Sequence, residues 1–163
     1  MEEIIRMQEN LLLIRRTVGW TAEEFGDRIG VTRQTINNIE SGRSKLTKTQ
    51  YIAMRSVLDA EMIKAPDETG MLKILLDVLV DNTEKYSKES RNELLAKANL
   101  MAPSILAGTA SRANVSKEWM SAVAAIIGAG MVLSPLGIGA GIAAVSTWLV
   151  KSINESRNKT KKE

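Results

Sequence analysis

The stretch that decides the fold is Ala22-Glu23-Glu24-Phe25-Gly26-Asp27-Arg28-Ile29-Gly30-Val31-Thr32-Arg33-Gln34-Thr35-Ile36-Asn37-Asn38-Ile39-Glu40. Two short helical patterns meet in it. Thr21, just before, and Glu24 form a capping box that opens the first helix. Gly30 ends that helix by supplying the positive φ of a tight corner. Thr32 then caps a second helix, Arg33–Glu40, which stops at Ser41-Gly42. Phe25 and Ile29 face inward from the first helix, and Ile36 and Ile39 from the second. Val31 plugs the corner, and Gly26 leaves room for two helices that cross steeply. The second helix turns Arg33, Gln34, Asn37 and Asn38 outward. Their hydrogen-bonding groups match base edges in a major groove, Arg to guanine and Asn or Gln to adenine. A polar helix face alone is ordinarily just solvated; the combined spacing of apolar, glycine and capping positions carries the reading.

Upstream, Ile4, Ile5, Leu11, Leu12 and Ile14 give one helical stripe from about Glu3 to Thr17, stopped by Gly19. Downstream, Thr47-Lys48-Thr49-Gln50 is a second capping box, opening a helix to about Leu58. Residues 1–65 therefore read as a compact five-helix domain. Pro66-Asp67-Glu68-Thr69-Gly70 marks a boundary. Beyond it, Met71, Ile74, Leu75, Val78 and Leu79 form one stripe, and Leu72 and Leu76 a second, so this helix needs partners on two sides. Ser90-Arg91-Asn92-Glu93 reads as the cap of a further helix reaching Met101, before Pro103. The small, polar Ser104–Ser116 reads as a loop or weak helix. Residues 66–115 are thus expected to be a helical linker or dimerisation region, 116–150 a Gly/Ala-rich helical segment, uncharged from Ser121 on, and 151–163 a basic, disordered tail.

Composition agrees with an all-α protein. Hydrophobic residues are 44% of the 163 but aromatics only 4%, whereas strands favour aromatic side chains. There is no Cys and no His, which excludes disulfides, thiolate chemistry, the usual neutral-pH base and the commonest zinc ligand. No P-loop is present, and Gly128-Ala129-Gly130 and Gly137-Ile138-Gly139 lack a preceding strand. No catalytic residue, metal site or cofactor is expected, so the chain reads as a non-enzyme. The acidic start Met1-Glu2-Glu3 carries no secretory signal, so the expected location is the cytoplasm. The net charge is only +3, but basic residues concentrate in Arg33–Lys48, as on a phosphate-contacting surface, and after Val150.

Residues 11–58 resemble the lambda-repressor/Xre family of helix-turn-helix domains. The turn glycine Gly30, the Val31-Thr32 pair, the core positions Ile36 and Ile39 and the Glu40-Ser41-Gly42 ending carry the likeness. It implies a structural pair between Arg15 and Glu40. It also implies base contacts from Arg33, Gln34, Thr35 and Asn38, which Asn37 joins by its outward placement. Phosphate contacts would come from Thr21 and Thr32 at the helix starts and from Arg43, Ser44 and Lys45 in the following loop. Two positions depart from the pattern. Gly26 replaces the commoner alanine, and Ala22 stands where many members carry a phosphate-binding glutamine. The implied function is a sequence-specific, repressor-like regulator of transcription that reads duplex DNA through helix 33–40. So small a domain makes few base contacts, and a dimer or higher oligomer is expected. The Met71–Val80 helix is either its seam or a plain intramolecular core.

From Ser121 to Val150 thirty residues carry no charge, enough to span a bilayer. Small residues recur at four-residue spacing (Gly137/Gly141, Ala140/Ala144), and Trp119 and Trp148 flank the segment as interfacial aromatics would. Ser134-Pro135 divides it into halves of about 13 and 15 residues, each short of a bilayer. A single span would also export the basic tail. Three arrangements stay open: a re-entrant or interfacial hairpin, a soluble helical pair or oligomer core, and one kinked span. The alternative function follows from the first and third, a membrane-associated or pore-forming effector with a DNA-binding head. It would contact the inner face of the membrane through 121–150.

Overall fold

The computed structural model describes residues 1–128, and every regular element among them is helical. Eight α-helices follow in order: α1 (Glu2–Glu9), α2 (Leu11–Thr17), α3 (Ala22–Ile29), α4 (Arg33–Glu40), α5 (Lys48–Lys64), α6 (Gly70–Leu76), α7 (Lys88–Leu106) and α8 (Arg112–Ile127). A π-helical turn, Asp77–Asp81, prolongs α6, and a 3-10 turn spans Thr83–Lys85. The Gly/Ala-rich hairpin expected over 116–150 lies, past Gly128, outside the described residues. So do the tail 151–163 and most of the uncharged stretch 121–150, for which membrane contact is an expectation. No helix among the described residues is long and apolar enough to cross a membrane.

The stripe expected as one helix over Glu3–Thr17 is broken at Asn10, which takes φ −107° and ψ 4° between α1 and α2. Its side-chain amide donates to the Arg6 carbonyl at 2.8 Å, so a local side-chain bond competes with helix continuation. Two further expectations are corrected downstream. The cap of α7 is Ser87, whose hydroxyl accepts from the Ser90 amide. The helix also runs through Pro103 to Leu106 instead of stopping short of it. Burial of Ala102 and Ile105 against α2 outweighs the loss of one backbone donor near a helix end. The stretch 104–116, expected as a loop or weak helix, is the last turn of α7, a short turn through the left-handed Gly108 (φ +70°), and the start of α8 under a Ser111 cap.

One apolar core runs from Met7 to Val123. The stripes of α6 and the π turn are consumed inside it. Leu72, Leu75, Val78 and Val80 are 0% exposed, packed among α1, α2 and α8. The Met71–Val80 segment is therefore an intramolecular core. Trp119 is likewise fully buried in this core and is no interfacial aromatic. The turn at Pro66 bends the chain without interrupting the core. Across it, the Arg112 guanidinium donates to Glu61 Oε1 at 2.7 Å, to Glu68 Oε2 at 2.5 Å and to the Val18 carbonyl at 3.3 Å. Arg6 Nε reaches the Val80 carbonyl at 2.8 Å, and Arg55 pairs with Asp81 at 3.0 Å.

Candidate nucleic-acid interface

The interface begins with how α3 and α4 are fixed. Thr21 Oγ1 accepts from the Glu24 amide while the Glu24 carboxylate accepts from the Thr21 amide at 2.7 Å. That backbone donor, with the Thr21 hydroxyl second, holds the Glu24 carboxyl below its usual range. At the corner, Gly30 has φ +74° and donates its N–H to the Gly26 carbonyl. A Cβ on Gly26 would stand 2.5 Å from the Val31 carbonyl oxygen, so only glycine fits this crossing without a backbone shift. Thr32 Oγ1 accepts from the Thr35 amide at 3.2 Å, and the two hydroxyls lie 2.9 Å apart.

Behind the corner, Arg15 locks α2 to the end of α4. Its Nε donates to Glu40 Oε1 at 2.6 Å, its Nη2 to Glu40 Oε2 at 3.1 Å, and its Nη1 to the Trp20 carbonyl at 2.7 Å. Both side chains of this bidentate pair are buried, so the fork fixes a plane as well as a distance. Arg28 stacks its guanidinium 4.2 Å over the Trp20 ring, which packs in turn on Phe25.

Arg33 and Gln34 are exposed on α4, and Thr35, Asn37 and Asn38 are half-buried along it. Gln34 Nε2 donates to Asn38 Oδ1 at 2.9 Å, one turn apart, so the two amides present one linked edge. Thr21 and Thr32 are exposed at the N-termini of α3 and α4, where backbone N–H groups favour an anion. Arg43, Ser44 and Lys45 are exposed together in the loop after α4. A shallow cleft of about 380 Å³ brings Thr21, Ala22 and Glu23 of one helix start beside Arg33 and Asn37. Arg15 lies behind it, and Leu106 at the end of α7 forms its far wall.

Two contributors have no counterpart in the sequence reading. Leu106 is one, and it enters through the long-range packing of α7 on α2. Gln8 is the other. Its amide nitrogen donates to the Ile39 carbonyl at 2.9 Å and the Ser44 carbonyl at 2.7 Å, while its Oε1 accepts from the Leu46 amide at 2.9 Å. One side chain thus anchors the end of α4 and the loop after it. The available signal is that Gln8 interrupts an apolar stripe, four residues after Ile4 and three before Leu11.

Residues 11–62, from α2 through most of α5, match the helix-turn-helix family model. No curated protein and no solved structure matches the chain.

Proposed function

Residues 11–62 are a DNA-binding helix-turn-helix domain of the lambda-repressor/Xre type, and from that premise we propose that the chain is a sequence-specific, repressor-like regulator of transcription. In this reading α4 enters the major groove, with Arg33, Gln34, Thr35, Asn37 and Asn38 at base edges. Thr21, Thr32, Arg43, Ser44 and Lys45 meet flanking phosphates. The observation that carries the proposal is the linked Gln34–Asn38 amide edge on the outward side of a helix whose other side is locked by Arg15–Glu40. Binding as a dimer follows from the small reading surface; with Met71–Val80 used up in the core, the seam is assigned to other surfaces.

The test is selection of bound sequences from random duplex DNA at fixed salt, followed by Gln34→Ala with Asn38→Ala. The double variant should lose roughly 1–3 kcal/mol per base contact on the selected site and little on random DNA. Arg43→Ala or Lys45→Ala should weaken binding to both DNAs alike and flatten the salt slope by about one unit. Equal losses on selected and random DNA for Gln34 and Asn38 would remove them from base reading.

A further inference from the structure

Away from the helix-turn-helix corner, a second cleft opens where α1 meets the π turn and the first turns of α7. Its volume is about 430 Å³, within the size range of small-ligand sites. Arg6 and Glu9 line it from α1, Leu79 from the π turn, and Lys88, Arg91 and Leu95 from α7. The charged groups facing it are three cations against one carboxylate. Arg6 is engaged with the Val80 carbonyl and with the exposed Glu2. Lys88 and Arg91 form no ion pair among the described residues. The Nε of Arg91 is fully buried and finds no acceptor among them.

We propose that this cleft is a binding site for a small organic phosphate, a phosphate monoester bearing an apolar group. Charge selects the headgroup. The cations facing the cleft outnumber its one carboxylate, which favours an anion, and guanidinium groups match phosphate oxygens in a bidentate fork. Leu79 and Leu95 select the remainder, since they give the cleft apolar walls that inorganic phosphate would leave wet. Arg91 is the central contact, through the guanidinium nitrogens beyond its buried Nε, since the group forms no ion pair among the described residues. Lys88 contributes as a point charge at the rim. The site shares no residue with the surface assigned to DNA and does not depend on that assignment.

The full chain is titrated by calorimetry with phenyl phosphate and with inorganic phosphate, at ionic strength matched with chloride. Arg91→Gln, Lys88→Gln and a control, Lys97→Gln on the exposed part of α7, are measured alongside. Saturable binding of phenyl phosphate is expected, several-fold tighter than that of inorganic phosphate. Arg91→Gln should weaken it by about tenfold or more, Lys88→Gln by less, and Lys97→Gln not at all. If Arg91→Gln does not fold, the rim variant Lys88→Gln carries the comparison. Absence of saturable binding up to about 10 mM, or an equal loss in Lys97→Gln, overturns the proposal. So does a loss of duplex-DNA affinity in Arg91→Gln as large as the loss for phenyl phosphate, which would reassign the cleft to the nucleic acid.

Discussion

The corner formed by α3 and α4 and the seam where α2 meets α6 and α7, with α8 packed on both of these, are held by opposite means. In the corner, two capped helices, a left-handed glycine and a buried bidentate pair act within one short run of chain, and the polar side chains left over face outward. At the seam the work is done by close-packed apolar side chains. One half-buried arginine, Arg112, gathers acceptors 44, 51 and 94 residues away in sequence. The corner is held by individually satisfied backbone groups, and the seam by large buried side chains such as Trp119. The contrast teaches that the surface proposed to read DNA is shaped locally but supported from a distance. Leu106 of α7 walls the cleft beside Arg33, and Ile105 packs against Gly19 just before α3.

That contrast can be broken most directly at Trp119. Trp119→Ala should cost about 3–5 kcal/mol in urea unfolding, since the side chain is wholly buried in the shared core. Loss of helicity and of DNA binding should coincide at one denaturant concentration; a corner that outlives the seam would divide the protein into independent folding units. Arg15→Ala tests the corner itself. It strands the buried Glu40 carboxylate and should cost about 3 kcal/mol by the same measurement. Arg112→Ala, with a side chain 22% exposed, should cost only about 1–2 kcal/mol and leave DNA affinity unchanged. The smallest effect concerns Glu24. Its folded pKa lies below its unfolded value, so its contribution is present above the ordinary carboxylate range and lost as pH falls through the folded value. Unfolding curves of wild type and Glu24→Gln should therefore differ most near neutrality and converge in acid.

The corner was legible in the sequence because each requirement there selects a distinctive residue within one or two turns. Gly30 is demanded by φ, Thr21 and Thr32 by orphan amides, and Phe25, Ile36 and Ile39 by burial. The seam was not legible for a physical reason. Its leucines, alanines and methionines announce burial without naming a partner, so Met71–Val80 fitted a dimer seam as well as a core. Arg112, inside a stretch that reads as a loop or weak helix, gave no signal of its role, because its acceptors lie on α5, in the turn before α6 and after α2. The break at Asn10 and the passage of α7 through Pro103 turned on tertiary packing and one side-chain bond, which periodicity does not register. Within the interface, the outward face of α4 could be read, whereas the Gln8 anchor and the Leu106 wall could not.

The Gln8 anchor bears on the thermodynamics of association. A loop that must be ordered when a partner arrives spends part of the interaction on lost conformational freedom. Here the segment Ile39–Leu46, including Arg43, Ser44 and Lys45, is already tied at three backbone atoms to α1. The ordering cost falls on folding, and complex formation inherits a preset spacing between the basic loop and the reading helix. On the proposed reading, a duplex whose groove does not suit that spacing would have to deform to be bound, and the stiffness of the DNA itself would become part of what the domain selects.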